Sequence, residues 1–371
     1  MILSAARIVT PARVIAPGWL RVEGDRIAEV GEGAPPGPVD VDLGPATVVP
    51  GFVDQHVHGG GGASFNTGTT AAAAAVAQTH LAHGTTSLVA SLVTDTHERM
   101  VGCVRELALL VDDGLLAGVH LEGPWLSPHR SGAHQPGSLA APFPASVTSL
   151  LEAGGGSVRM VTIAPELPGG IEAVGQLAAA GVVVAIGHTD ATYDVARQAL
   201  DAGASTGTHL FNAMRGLHHR EPGPVGALLE GDAHVELIAD GVHLHPAVLR
   251  TVFAAKPGRC VLVTDAMAAA GAADGDYELG PMAIEVRDGV ARLAGQGAIA
   301  GSTLTMDTAL RRTVEAGVPL LAAAHAASTA PAALMGLDDV GALETGRRAD
   351  LVVLDDDLGL HRVMRAGAWV G

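Results

Sequence analysis

Short apolar runs alternate with helix-like segments through the middle of the chain. Each run is rich in Val, Ile and Leu and carries few charges, a pattern typical of strands that are covered on both faces. Eight such strands are predicted: Val48–Val57, Thr86–Val93, Ala117–Glu122, Val158–Ala164, Val182–Gly187, Gly207–Asn212, Val235–Ala239 and Val261–Thr264.

The segments between these strands predict helices. Thr70–His83 is rich in alanine and is followed by Gly84, and Thr96–Asp113 places its apolar residues on one face. Further helices are predicted at Gly170–Ala180, Thr192–Ala202, Val225–Leu229 and Pro246–Ala255. Repeated strand–helix units with right-handed crossovers close into a barrel. An open doubly wound sheet is the alternative, but no Gly-rich phosphate loop opens the first unit.

The two ends of the chain have a different pattern from the middle. Residues 1–50 and 338–371 contain short β-like pieces, and neither end is long enough to build a core alone. We therefore predict an α/β fold, in which a (β/α)8 TIM-type barrel over 51–337 carries a small β-sandwich-like domain formed by both termini. A hairpin, Ala283–Arg287 with Ala291–Ala294, and helices at Thr303–Ala316 and Pro319–Leu334 should follow the eighth strand.

Composition narrows the class of protein. The chain has 371 residues, 48% of them hydrophobic, and a net charge of −17, which argues against a nucleic-acid or membrane-surface partner. No apolar run is long enough to span a membrane, and the N-terminus lacks a basic region followed by an apolar stretch. There are only two cysteines. We expect a cytoplasmic protein.

Imidazoles and carboxylates lie in or at the ends of five predicted strands. His56 and His58 lie two apart and so share one face of the first strand. The others are Glu122 at the end of strand three, His188 after strand five, His209 in strand six and Asp265 after strand eight. Functional groups converge at the carboxyl ends of barrel strands. Each residue alone has a plain structural explanation, but their occurrence at five strand ends predicts a metal site.

Several motifs carry a family resemblance that spans nearly the whole chain. The opening Val49–Gly59 and the closing Gly346–Leu354 resemble the amidohydrolase superfamily. Within it, the chain is similar to the N-acetylglucosamine-6-phosphate deacetylase family. That similarity rests on the segments His120–Trp125, Gly187–Thr189, Thr208–Met214, Ala239–His243, Thr264–Met267 and Ala300–Ser302.

The resemblance implies a metal-dependent deacetylase. Glu122, His188 and His209 would hold one divalent metal, and His56 and His58, with Glu122 and Asp265, would hold a second. One or two ions per subunit are expected. Zinc is the expected metal, and iron, manganese and cobalt are alternatives. Asp265 would be the general base and acid, releasing acetate and glucosamine 6-phosphate with a metal-activated water.

The resemblance also implies substrate contacts. His134 and Ala133 would bind the phosphosugar from the loop after strand three, with Asn212, Ala213 and Ala300 from other mouth loops. Arg220 and His243 would contact the phosphate, reaching the neighbouring site of a homodimer.

The single lysine excludes one kind of metal bridge. Many two-metal amidohydrolases bridge their ions with a carboxylated lysine, but Lys256 lies between strands seven and eight, just before Pro257. Glu122 is then the candidate for a shared ligand.

Two rival functions stay open. One is deacetylation of N-acetylgalactosamine 6-phosphate or an N-acyl amino acid. The other is a non-catalytic binding protein with the amidohydrolase fold, which the presence of all six candidate ligands disfavours.

Overall fold

Eight parallel strands form the centre of the molecule. The computed structural model describes residues 1–371. The strands pair with their neighbours in chain order. They are β1 Phe52–Val57, β2 Thr85–Val93, β3 Gly118–Glu122, β4 Val158–Ile163, β5 Val183–Ile186, β6 Thr206–Gly207, β7 His234–Ile238 and β8 Cys260–Val263. All nine residues of β2 are buried, as its unbroken apolar composition predicts.

The sheet curls until its two edge strands meet. The backbone N–H of Asp265 donates to His56 O at 2.8 Å, and Val57 pairs with Ala266 just beyond β8. The Thr264 hydroxyl also donates to the Asp54 carboxylate, at 2.6 Å. The result is a nearly closed barrel, so the predicted fold class is confirmed.

Eight helices follow the strands and cover the barrel. They are α1 Thr70–Ala82, α2 His97–Asp112, α3 Pro144–Gly154, α4 Gly170–Ala179, α5 Tyr193–Asp201, α6 Gly223–Glu230, α7 Pro246–Ala255 and α8 Met306–Glu315. A last helical segment runs through Leu320–Ala324, His325–Thr329 and Ala330–Leu334, the middle piece being π-helical. Threonine caps begin several helices: the side chains of Thr69, Thr96 and Thr192 each accept a backbone N–H of the first turn. No helix combines the length and hydropathy needed to cross a bilayer.

Both termini build the small β domain. One sheet orders its strands Arg26–Glu32, Gly18–Glu23, Ile2–Ala5 and Val41–Asp42. The other orders Ala368–Trp369, Leu360–Arg365, Leu351–Leu354, Thr47–Pro50, Arg7–Val9 and Val14–Ile15. Leu20 and Ile27 from the first sheet pack in one apolar core with Val48, Leu351 and Met364 from the second. The exact division of the chain, 1–50 plus 338–371 against 51–337, stays a prediction.

Two smaller sheets lie beyond strand ends. Gly59–Gly60 pairs with Ala63–Ser64 directly after β1. Gly275–Leu279, Met282–Arg287 and Val290–Leu293 form an antiparallel sheet after β8, which includes the predicted hairpin.

Two local predictions were wrong, and one helix was not predicted. The run Val48–Val57 is two strands, because Thr47–Pro50 pairs within the small β domain while Phe52–Val57 pairs with β2 of the barrel. Strand six ends at Gly207 and does not contain His209, because left-handed φ angles at His209, Phe211 and Ala213 turn the chain. Helix α3 was missed, although a proline at its first position and Gly155 in a left-handed conformation at its end are standard helix signals.

Candidate metal centre

The predicted ligands converge at the carboxyl ends of the barrel strands. Glu122 ends β3, while His188, His209 and Asp265 each lie two residues beyond β5, β6 and β8. His188 Nε2 and His209 Nε2 each lie 3.1 Å from Glu122 Oε1. The two nitrogens are also 3.1 Å apart, so three ligand atoms surround one point.

A second group of ligand atoms shares Glu122. His58 Nε2 lies 3.1 Å from Glu122 Oε2 and 3.2 Å from Asp265 Oδ1. His56 Nε2 lies 3.1 Å from His58 Nε2. The ligand atoms of these four buried residues all lie within 4.8 Å of one another. Glu122 therefore faces both groups: Oε1 lies near His188 and His209 and 3.5 Å from His56 Nε2, and Oε2 lies near His58.

The other ring nitrogens of three of these histidines have partners that fix the tautomer, whereas His209 Nδ1 is buried without a hydrogen-bond partner. His188 Nδ1 lies 2.8 Å from Arg130 O, His58 Nδ1 lies 3.2 Å from Ser91 O, and His56 Nδ1 lies 3.0 Å from a Glu236 oxygen. These partners only accept hydrogen bonds, so in the neutral ring, the form that can bind a metal, each Nδ1 carries the proton and each Nε2 presents a lone pair. Lone pairs that face one another at 3.1 Å repel unless a cation lies between them. The donor set therefore suits a divalent metal held by imidazole and carboxylate.

The backbone is strained where the strands deliver these residues. His188, His209 and Asp265 have φ angles of 46°, 28° and 48°, in the left-handed region that side chains other than glycine rarely adopt. Each such residue costs of order 1–3 kcal/mol, and such outliers are found mainly at functional sites.

The electrostatics of the centre favour a cation. Burial disfavours protonation of His56, but Glu122, Glu236 and Asp265 raise its pKa well above the usual range. Burial alone would raise the pKa of Glu122, yet the neighbouring histidines, His56 first, hold it well below its ordinary value. Against the same burial, His56 and His58 lower the pKa of Asp265 to about 2. The carboxylates are thus ionised in a buried site, where a divalent ion would balance their charge.

His134 meets the same carboxylate but is unsuited to be a ligand. Its Nδ1 accepts the Thr94 backbone N–H at 3.2 Å, so the proton of the neutral ring lies on Nε2, 3.4 Å from Glu122 Oε2. Burial and the nearby His188 lower the pKa of His134 to about 4. His134 is therefore a neutral hydrogen-bond donor that faces the centre.

A cleft of about 350 Å³ opens above the centre. Most of the predicted site residues line it: His58, Glu122, Ala133, His134, His188, His209, Asn212, Ala213, His243 and Asp265. His56 lies fully buried beneath them. Ala300 is buried next to Gly301, which lines the cleft. Arg220 lies apart on an exposed loop, with Nη1 2.9 Å from His219 Nε2, and lines a separate surface pocket.

Sequence reasoning missed the residues that support the histidines from below. Glu236 accepts hydrogen bonds from the Gln55 amide at 2.8 Å and from the backbone of His209 at 3.3 Å, besides contacting His56. Asp54 accepts from the backbone of His56 and from Thr264, joining β1 to β8. A glutamate inside the apolar strand Val235–Ala239 was the available signal, because a buried carboxylate requires partners.

His120 is also buried at this level but has both ring nitrogens engaged. Nδ1 lies 2.9 Å from the Ser91 hydroxyl and Nε2 lies 2.8 Å from the Thr162 hydroxyl. It therefore has no lone pair free for a metal, and its place is structural.

The chain is similar to known proteins over its whole length. Residues 47–370 match the model of the amidohydrolase family. An N-acetylgalactosamine-6-phosphate deacetylase of Escherichia coli is 37% identical over 99% of this chain and 98% of its own. An N-acetylglucosamine-6-phosphate deacetylase of Danio rerio is 39% identical over 89% of this chain and 86% of its own.

Solved structures agree with the sequence relatives. A mutant N-acetyl-D-glucosamine-6-phosphate deacetylase of Mycobacterium smegmatis, in complex with N-acetyl-D-glucosamine-6-phosphate, is 52% identical. It superposes with a TM-score of 0.98 over 100% of this chain and 98% of that one. The resemblance seen in the motifs is confirmed: the chain belongs to the amidohydrolase family.

Proposed function

We propose that this chain hydrolyses the acetamide of N-acetyl-D-glucosamine 6-phosphate to glucosamine 6-phosphate and acetate, a step of amino-sugar catabolism. The observation that carries the proposal is the cluster of Glu122, His188 and His209 with Asp265 at the base of the cleft. The similarity to deacetylases of N-acetylhexosamine 6-phosphates supports the choice of substrate.

The metal would be held by Glu122, His188 and His209, since their donor atoms converge on one point. Three protein ligands leave a position open, as in catalytic rather than structural zinc sites. A divalent ion supplies polarisation of the acetamide carbonyl and lowers the pKa of a water toward about 7. Zinc is our choice, because imidazole and carboxylate suit it, and His56 with His58 would hold any second ion.

Asp265 is proposed as the general base and acid. Its Oδ1 lies 3.2 Å from His58 Nε2, beside the proposed ligands at the base of the cleft, and its lowered pKa keeps the carboxylate ionised. It would take the proton of the attacking water and then deliver it to the departing amine.

His134 would act on the acetamide from the loop after β3. Since its Nε2–H is fixed by the Thr94 backbone, it can donate to the carbonyl oxygen as negative charge develops there. Ala133, Asn212, Ala213 and Ala300 would surround the sugar ring.

The phosphate would be bound by His243 and Arg220. The Nδ1–H of His243 donates to Asp240 at 2.7 Å, which overcomes the effect of burial and raises the pKa of His243. The protonated ring would then face the cleft as a cation. Arg220 lies outside the cleft of its own chain, which supports its reaching the site of a second subunit in a homodimer. A cytoplasmic location stays part of the proposal.

An acetate-release assay tests the substrate. It compares N-acetylglucosamine 6-phosphate, N-acetylgalactosamine 6-phosphate, both unphosphorylated sugars and an N-acetyl amino acid. We expect the highest kcat/KM on the glucosamine phosphate. The galactosamine epimer is the second candidate because of the Escherichia coli relative. A preference for the amino acid, or no release from any compound, would contradict the proposal.

A further inference from the structure

Three loops at the mouth of the barrel meet at one carboxylate that carries no assigned role. Asp190 lies two residues after His188, in the loop that follows β5. Its Oδ1 accepts from Arg130 Nε at 2.9 Å and Nη2 at 2.8 Å, and its Oδ2 accepts from Arg215 Nη2 at 2.8 Å. Arg130 belongs to the loop after β3 and Arg215 to the loop after β6. One side chain thus ties two neighbouring loops to its own.

The arginine from the loop after β3 links Asp190 to the metal centre. The backbone oxygen of Arg130 is the acceptor for His188 Nδ1, at 2.8 Å. This bond fixes the tautomer that turns the lone pair of His188 Nε2 toward Glu122. Gly132 packs so closely on this ring that a Cβ would lie 3.0 Å from His188 Cε1. The place of Arg130 therefore sets the orientation of His188.

The arginine from the loop after β6 links Asp190 to a second loop that lines the cleft. The backbone of Arg215 donates to Thr189 O at 3.0 Å, and Thr189 donates to Ala213 O at 3.2 Å. Asn212 and Ala213, just before Arg215, line the cleft, as do Arg130 and Ala133 on the loop after β3. Two of the loops that line the cleft are thus attached to the same carboxylate.

Asp190 is itself held from below. Glu166, beyond the end of β4, accepts the backbone N–H of Asp190 at 2.6 Å and the Thr189 hydroxyl at 2.5 Å. An anchored carboxylate that takes two guanidinium groups in good geometry differs from an isolated surface ion pair, which contributes little.

We infer that Asp190 is a positioning residue, which sets the relative position of these two cleft-lining loops and the orientation of His188 through Arg130 and Arg215. The inference rests on the proposed function, because the effect on the cleft is measured through the kinetics of the deacetylation reaction. Asp190 itself does not line the cleft, and its side chain contacts Arg130 and Arg215 rather than the proposed ligands.

The test compares Asp190→Ala with a matched control. Arg21→Ala also breaks two ion pairs at once, with Glu23 and Glu29, but in the small β domain. We expect Asp190→Ala to raise KM for N-acetylglucosamine 6-phosphate about tenfold or more and to weaken metal binding by about the same factor in a chelator competition. Under saturating metal and substrate, kcat should stay within about threefold, because Asp265 and His134 are unchanged. Arg21→Ala should match the wild type in all three measurements.

A second variant keeps the inference testable if the alanine variant does not fold. Asp190→Asn preserves the shape and one oxygen acceptor, so it should give a smaller rise in KM in the same direction. Equal behaviour of the Asp190 and Arg21 variants would overturn the inference, as would a fall in kcat with unchanged KM. A wild-type enzyme that releases no acetate would instead contradict the proposed function, and the chelator competition would still report on Asp190.

Discussion

Replacing Asp265 by Asn removes one charge at the centre with almost no change in shape. The amide can neither accept the proton of the attacking water nor protonate the leaving amine. Asp265 lies within 3.2 Å of His58 Nε2 and 3.5 Å of His56 Nε2, but it makes no contact of this kind with His188 or His209. The convergence of Glu122, His188 and His209 should therefore persist in the variant.

The size of the loss follows from the step that Asp265 serves. General acid–base help contributes about 10² to 10⁴ in rate, equivalent to about 3–5 kcal/mol in the barrier. The same carboxyl would serve both proton transfers, so kcat should fall by at least the lower figure. Substrate affinity should change little, because the proposed phosphate contacts, His243 and Arg220, are elsewhere.

The assay measures kcat, KM and metal content in one preparation of Asp265→Asn. We expect a loss of at least about 100-fold in kcat, with the first metal retained. A near-normal kcat would remove Asp265 from the mechanism. Loss of all metal together with activity would show instead that Asp265 acts mainly as a ligand.

Three further predictions concern the ligands, the phosphate and acid stability. His188→Ala should lose tightly bound metal and turnover, while His56→Ala should lose less if one ion suffices. Arg220→Ala should raise KM for the phosphosugar about tenfold or more, and change turnover of the unphosphorylated sugar little. Burial lowers the pKa of His80 to about 4. Between pH 4 and 6.5 the folded state then binds fewer protons than the unfolded state, so the free energy of unfolding should fall by about 3 kcal/mol as the pH drops through this range. His80→Gln should make the free energy of unfolding less dependent on pH there.

Each of these predictions has its own contrary result. Full metal content and activity in the His188 variant would refute the ligand assignment. Equal losses on both sugars would mean that Arg220 has only a structural role. For His80, the free energy of unfolding is measured by denaturant at several pH values. If it depends on pH equally in the variant and the wild type, the burial argument is refuted.

Sequence alone predicted the fold because apolar runs alternate regularly with helix-like segments along the chain. The apolar runs of β2 and β4 are typical of buried strands, and two short β-like ends that cannot build a core alone favour pairing with each other. Prediction failed where backbone conformation overrides composition. The segment Thr208–Asn212 reads as a strand, but three left-handed residues from His209 to Ala213 make it a turn.

Sequence predicted which candidate ligands would converge, but not the residues that support them; their role as metal ligands stays a prediction. His56, Glu122, His188 and Asp265 lie at or near strand ends, which is a feature of the sequence. The roles of Glu236 and Asp190 depend on long-range contacts with His56, Arg130 and Arg215, which no local pattern records. Residue type also does not distinguish His120 or His134 from the candidate ligands. The distinction comes from the hydrogen-bond partners of their ring nitrogens.

Metal removal and return tests the central claim most directly. The protein is stripped with a chelator, then titrated with zinc while bound metal and acetate release from N-acetylglucosamine 6-phosphate are measured in the same samples. The account predicts that the stripped protein is inactive and that activity returns in proportion to the first one or two ions bound per chain. Full activity without metal, or stoichiometric metal binding that restores no acetate release, would contradict it.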